Sequence, residues 1–177
     1  VAIPSLASWS LGDNVTSSKL QQDPDALTWL LYKAHGTYGQ VTTAQTIAND
    51  TAAPVLWNAN VRQYKITHST VSNTDQVIPQ EPGLYRVTAK IQWTGNATGY
   101  RKLWAEQNGS SSATEGSVQH SSVGAGLHSM EFSGDLVFNG STDYVRIMVR
   151  QTSGGGLDLG FGEFNPRLNL MWLSAVA

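Results

Sequence analysis

The sequence predicts an all-β fold: an antiparallel jelly-roll β-sandwich preceded by a short amino-terminal arm that contains one helix. Three observations predict it. Apolar residues recur at every second position in several stretches, turn signals such as Asn-Gly and Pro-Gly separate those stretches, and a helical pattern occurs only near the amino terminus. Alternation of period two places one face of a strand in a core and the other in water, as antiparallel sandwiches require. Many short strands spaced by turns point to a sandwich or jelly roll rather than to any βαβ arrangement.

The arm is expected to span 1–37 and the jelly-roll domain 38–177. Within the arm, Asp23 is placed to cap a helix, Pro24 suits its first position and Asp25 complements the helix dipole. Leu27, Leu30 and Leu31 then share one face with Trp29 beside it, and Gly36 and Gly39 close the segment. A single short helix does not hold itself together in water, so this face must dock, either on its own domain or on a neighbouring subunit or larger assembly.

Strand signals begin at about Thr42. In 83–93, Tyr85, Val87, Ala89, Ile91 and Trp93 alternate with Arg86, Thr88, Lys90 and Gln92. Val145, Ile147 and Val149 alternate with Arg146 and Arg150, and Leu157, Leu159 and Phe161 repeat the period. The run from Leu168 to Leu173 is apolar on both faces, which predicts cover from its own core on one side and from a partner chain on the other. Asn108-Gly109 and Asn139-Gly140 are tight-turn signals, because both residue types tolerate positive φ. Glu81-Pro82-Gly83 opens the long alternating strand, and Gly154-Gly155-Gly156 separates two others.

Composition narrows the function. Charged residues make up 14% of the 177, against roughly 25% in an ordinary soluble domain. A surface built from Ser, Thr, Asn, Gln and Gly suits repeated protein contacts better than electrostatic steering. Eleven basic and 13 acidic residues are scattered without blocks, so neither nucleic-acid binding nor membrane insertion is expected. The absence of cysteine excludes thiol chemistry and cysteine-ligated metals. No nucleophile elbow, H-E-x-x-H helix or phosphate-binding glycine loop occurs, so no enzyme activity and no cofactor are expected.

The remaining candidates are weaker. His35, His68, His120 and His128 show no metal-ligand spacing, although His120 and His128 could converge across a hairpin or around an oligomer axis. Surface histidines are the simpler reading. Glu131 and Asp135 have no special claim to a glycosidase geometry. Five N-x-[ST] triplets, at Asn14, Asn49, Asn96, Asn108 and Asn139, signify glycosylation only in a eukaryotic secretory setting. Of the six tryptophans, Trp93 and Trp172 sit in strongly apolar strand patterns, whereas Trp57 and Trp104 are candidates for stacking on a sugar ring.

Taken in order, the segments 42–58, 83–93, 101–110, 130–154 and 168–176 resemble the complement globular-head and tumour necrosis factor-like jelly roll. Pro82-Gly83-Leu84-Tyr85 leading a strand, Asn108-Gly109 after another, and the turn Gly140 to Val145 carry most of that likeness, which covers about Val41 to Val176. The amino-terminal run from Trp9 through Gly12, Asp13 and Val15 to Lys19 and Leu20 resembles the opening of small minor structural proteins of bacteriophages, especially those infecting actinobacteria. Gln21 stands where Asn follows the Lys-Leu pair in those proteins.

The first resemblance implies a homotrimer packed around a threefold axis, with no catalytic residue; Tyr85, Leu168, Leu170 and Trp172 are expected at its interface. The second implies a virion component at the particle surface, held to other virion proteins by Trp9, Leu27, Trp29, Leu30 and Leu31 of the arm. A minor tail, tail-tip or fibre position is the leading expectation, with host contact, including a cell-surface glycan, through loops 94–100 and 109–127. A capsid decoration protein is the alternative, and a free glycan-binding module the second alternative.

Overall fold

The computed structural model describes residues 33–40, 42–110, 117–122, 124–160 and 165–176, and these form β-structure without helix. The arm's helix expected from Asp23 onward lies outside the described residues, as do Trp9, Leu27, Trp29, Leu30, Leu31 and Phe161. The unit described below runs from Ala34 to the carboxyl end.

Among the described residues the strands are β1 (His35–Gly39), β2 (Thr46–Ile47), β3 (Ala53–Pro54), β4 (Ala59–Tyr64), β5 (Ile66–Thr67), β6 (Ile78–Pro79), β7 (Pro82–Trp93), β8 (Tyr100–Gln107), β9 (Ser117–Ser121), β10 (His128–Asn139), β11 (Val145–Gln151), β12 (Leu157–Asp158) and β13 (Arg167–Ser174). A five-stranded sheet has the order β10-β7-β13-β1-β4, and a four-stranded sheet the order β3-β11-β8-β9. Two short pairs, β12-β2 and β5-β6, complete the set. Each ladder is antiparallel, and consecutive strands lie in different large sheets at β3 and β4, β7 and β8, β9 and β10, and β10 and β11. That crossing pattern is a jelly roll.

The core lies between the two large sheets. From β7 it receives Tyr85, Val87, Ala89, Ile91 and Trp93, each fully buried. Leu168, Leu170 and Trp172 of β13 and Phe132, Leu136 and Phe138 of β10 lie on the same side. Leu103, Ala105, Val145, Ile147 and Val149 come from β8 and β11 of the facing sheet. The period-two patterns of the sequence are therefore the core-facing rows of these strands. Burying one such side chain stabilises the fold by about 1.5–3 kcal/mol relative to leaving it in water.

Two turns carry the geometry that their residues predict. Asn108 and Gly109 have φ of 53° and 75°, the left-handed conformation that Asn and Gly tolerate best. The Asn108 side chain then accepts the Tyr144 N–H at 3.0 Å and donates to Asp143 at 2.8 Å, tying this turn to the 139–144 loop. At the head of β7, Gly83 has φ of +148°, and a Cβ there would lie 2.4 Å from the Trp172 indole nitrogen. The missing side chain lets Trp172 lie across the strand and donate to the Pro82 carbonyl at 3.1 Å.

The boundary of the sandwich differs from expectation. β1 begins at His35, so residues 35–37 belong to the five-stranded sheet rather than to an arm, and Gly36 and Gly39 are strand residues rather than helix stops. HGTYG offers one large apolar side chain, Tyr38, and no period to read. Its strand state comes from ladders on both sides, to β13 and to β4.

Candidate functional site

The outer face of the five-stranded sheet is set by register. Crossing from β10 to β4, one row reads Asp135, Arg86, Met171, His35 and Tyr64, and the next reads Ser133, Thr88, Asn169, Thr37 and Arg62. Val137 faces Leu84 at one end, and a β-bulge between Trp172 and Ser174 places Leu173 beside them. The result is an apolar end, with Val137 47%, Met171 53% and Leu173 37% exposed, next to a polar expanse. Apolar side chains gathered in water on one side of a sheet mark an interaction surface when they are contiguous.

The polar part is internally paired. Arg86 grips Asp135 through both carboxylate oxygens, Nη2 to Oδ2 at 3.0 Å and Nε to Oδ1. The hydrogen bonds from Arg86 hold the Asp135 carboxyl below the usual range, and the same pairing raises the Arg86 pKa. Glu131 sits opposite Lys90. Glu131 and Asp135 thus share the sheet's outer face, Asp135 paired with Arg86 and Glu131 across the ladder from Lys90.

Tyr85, Leu168, Leu170 and Trp172, expected at an interface between chains, are instead turned into the sandwich. Their exposures are 0%, 0%, 2% and 7%, so they have almost no surface left to bury against a second copy. The Tyr85 hydroxyl donates to the Glu81 carbonyl at 2.9 Å, and its ring meets Phe138 edge-on at 5.5 Å. The rows that carry them face the core, as the alternation in β7 predicts, and not a second copy. Their neighbours Leu84, Arg86, Met171 and Leu173 form the outward surface.

The tryptophan candidates separate in the same way. Trp57 is fully buried, with no face for a sugar to stack on. Trp104 lies half-buried on the outside of the four-stranded sheet, where its indole N–H donates to Glu106 at 3.1 Å and the Lys102 ammonium stands 5.2 Å from the ring centre. Glu106 in turn receives Arg146 at 2.9 Å. Trp104 is one member of a charged, hydrogen-bonded surface row.

Loop 94–100 is tied down from beneath. Arg101, 1% exposed, donates to the carbonyls of Thr98 and Tyr100 at 3.0 Å and of Asn96 at 3.2 Å, with its guanidinium 5.9 Å from the Trp93 ring centre. Sequence pattern did not single out this buried cation. Of loop 109–127, residues 111–116 and 123 lie outside the described residues.

The histidines fall in three settings. His35 stacks on Tyr64 at 6.1 Å. His68 is buried, with Nδ1 against the Asn60 side-chain oxygen and Nε2 3.0 Å from the Thr74 carbonyl. Burial lowers its pKa, and the Thr74 carbonyl and Asp75 pull the other way. His120 and His128 do converge: Nδ1 of His120 lies 3.2 Å from Nε2 of His128, the rings edge to face at 77°. Partial burial lowers the His128 pKa, and the charges of His120 and Arg101 lower it further.

The sequence matches no family model and no curated protein. Solved structures are similar in fold. The crystal structure of murine APRIL at pH 5.0 superposes with a TM-score of 0.60 at 13% identity, covering 80% of this chain and 100% of that chain. Eiger TNF from S. frugiperda gives 0.61 at 15% identity, covering 82% and 96%. The globular domain of zebrafish complement 1qA protein gives 0.58 at 14% identity, covering 82% and 100%. The chain has the jelly-roll fold of these tumour necrosis factor-like and complement globular domains.

Proposed function

We propose that the chain is a non-enzymatic structural protein of a bacteriophage particle, a homotrimer whose subunits meet through the outer face of the five-stranded sheet. The observation that carries self-association is the apolar end of that face, where Val137, Met171 and Leu173 keep 47%, 53% and 37% of their surface exposed beside Leu84. Each Å² of such surface covered by a sister copy contributes about 25 cal/mol before the costs of association. Arg86 and Asp135 are already paired to each other, so covering them strands no lone charge. The threefold stoichiometry is supported by the fold's resemblance to tumour necrosis factor-like and complement globular domains.

The virion assignment is supported by the likeness of the run from Trp9 to Leu20 to phage minor structural proteins and by the low charge. In this reading Trp9, Leu27, Trp29, Leu30 and Leu31 hold the chain to neighbouring virion proteins, and three arms per trimer add avidity. The subunit sits at the tail tip or in a fibre, at the particle surface; capsid decoration is the alternative. Copies per virion discriminate, since a shell protein is present in hundreds and a tail protein in a few to a few dozen.

Light-scattering mass tests the assembly. The expected value is about three times the 19.1 kDa of one chain, falling to one chain when Met171 and Leu173 are both replaced by Glu. A monomeric parent chain defeats the proposal. For the arm, the shortened chain must begin at Ala34, because deletion through Thr37 removes most of β1. It should remain trimeric and fail to join particles; incorporation at the parent level refutes the anchor.

A further inference from the structure

We propose that His120 and His128 form a two-imidazole site for a late first-row divalent cation, Zn²⁺, Cu²⁺ or Ni²⁺, which bridges the edge strands of the two large sheets. The site is built from two independent ladders. His120 is carried by β9, the edge of the four-stranded sheet, where it pairs with Arg101 of β8. His128 opens β10, the edge of the five-stranded sheet, where it pairs with Trp93 of β7. The two nitrogens therefore meet across the sandwich and are positioned by separate sheets.

Their spacing fits one shared ion. Nitrogens bound at about 2.0–2.1 Å to a tetrahedral cation stand about 3.3–3.4 Å apart, and at a right angle about 2.9 Å. The observed 3.2 Å falls between these values. The same distance is that of a hydrogen bond between two neutral imidazoles, so an ion bound about 2.0–2.1 Å from both nitrogens sits off the line joining them and the donor ring carries its proton on its other nitrogen. Access is open, because His120 is exposed and His128 half-buried.

The donor set selects the metal. Imidazole suits Zn²⁺, Cu²⁺ and Ni²⁺, whereas Ca²⁺ and Mg²⁺ require oxygen ligands. Among the described residues no third His, Asp or Glu joins the pair, so water completes the coordination. Arg101, paired with His120 in the β8–β9 ladder, is a neighbouring positive charge and weakens the binding of a cation. An anion is the poorer occupant: Arg101 is 1% exposed, and its Nη atoms are committed to three backbone carbonyls.

The test is titration of the full chain, without an affinity tag, by Cu²⁺ or Zn²⁺ against a chromophoric chelator. Binding of one ion per chain is expected, with affinity lowered about tenfold or more in both His120→Gln and His128→Gln. The Cu²⁺ form should give an electron paramagnetic resonance spectrum with two nitrogen ligands. His120 is exposed, so His120→Gln keeps the fold intact, as circular dichroism will register. Equal binding by parent and variants overturns the site, as does the absence of a metal-dependent rise in Tm or a rise produced equally by phosphate.

Discussion

Adjacent residues of β13 provide the sharpest test of which sheet face is core. Leu170 is 2% exposed and Met171 is 53% exposed. Leu170→Ala removes three carbons, about 2.4 kcal/mol at 0.8 kcal/mol per buried methylene. The cavity left behind adds to this. On the register, Leu170 is flanked by Val87 of β7 and Gly36 of β1. Gly36 has no side chain to fill the space, and the position above it is occupied by Tyr38, whose hydroxyl oxygen would stand 2.5 Å from a Cβ there. With neighbours held by ladders on both sides, collapse is limited and the total comes to about 3–4 kcal/mol. For a chain of this length that lowers Tm by roughly 6–16 °C. Met171→Ala, on the outer face, should change the stability of a single chain by no more than about 0.5 kcal/mol. Urea unfolding at several protein concentrations separates the two effects. Leu170→Ala should lose stability equally at each concentration, whereas Met171→Ala should lose only the part that grows with concentration. The opposite result, Leu170→Ala near neutral and Met171→Ala costing several kcal/mol in the dissociated chain, would refute this assignment of faces.

Two further outcomes follow from local geometry. Gly83→Ala combines a φ of +148° with a Cβ 2.5 Å from the Ser174 carbonyl oxygen and 2.4 Å from the Trp172 indole, so a loss of about 2 kcal/mol or more is expected in urea unfolding. A cost below 0.5 kcal/mol would show that β7 and β13 part readily at this end. Acid should weaken the fold through His128: burial first, then the charges of His120 and Arg101, lower its folded pKa below the unfolded value near 6.5. The unfolded chain then binds more protons, so the contribution is present above the unfolded pKa and is lost as pH falls through the folded one. Urea midpoints between pH 7.5 and 5 should fall less steeply for His128→Gln than for the parent; parallel profiles would contradict the direction of the shift. His68 is lowered in the same direction and stays constant in this comparison.

What the sequence determined by itself was the set of strands with a strict period and the turns between them. Tyr85 to Trp93 and Val145 to Val149 are legible because alternation is a local property, set by the pleat of a single strand. Asn108-Gly109 is legible because positive φ is a local demand. Proximity could be anticipated for His120 and His128, since a short connection between strands brings chain neighbours together.

Tertiary structure alone decided which face of β13 meets the core. β13 is apolar on both sides, so the period reveals two rows and no sign; sheet packing put Leu168, Leu170 and Trp172 inside and left Met171 and Leu173 outside. Trp57, in the connection between β3 and β4, is likewise fully buried although its neighbours in sequence show no period. β1 has no readable pattern and becomes a strand because β13 and β4 supply hydrogen-bond partners 132 and 27 residues away, as Thr37 with Asn169 and Gly36 with Gln63 illustrate. Strand character is written in the spacing of side chains along one segment, whereas facing and pairing depend on segments far apart in the chain.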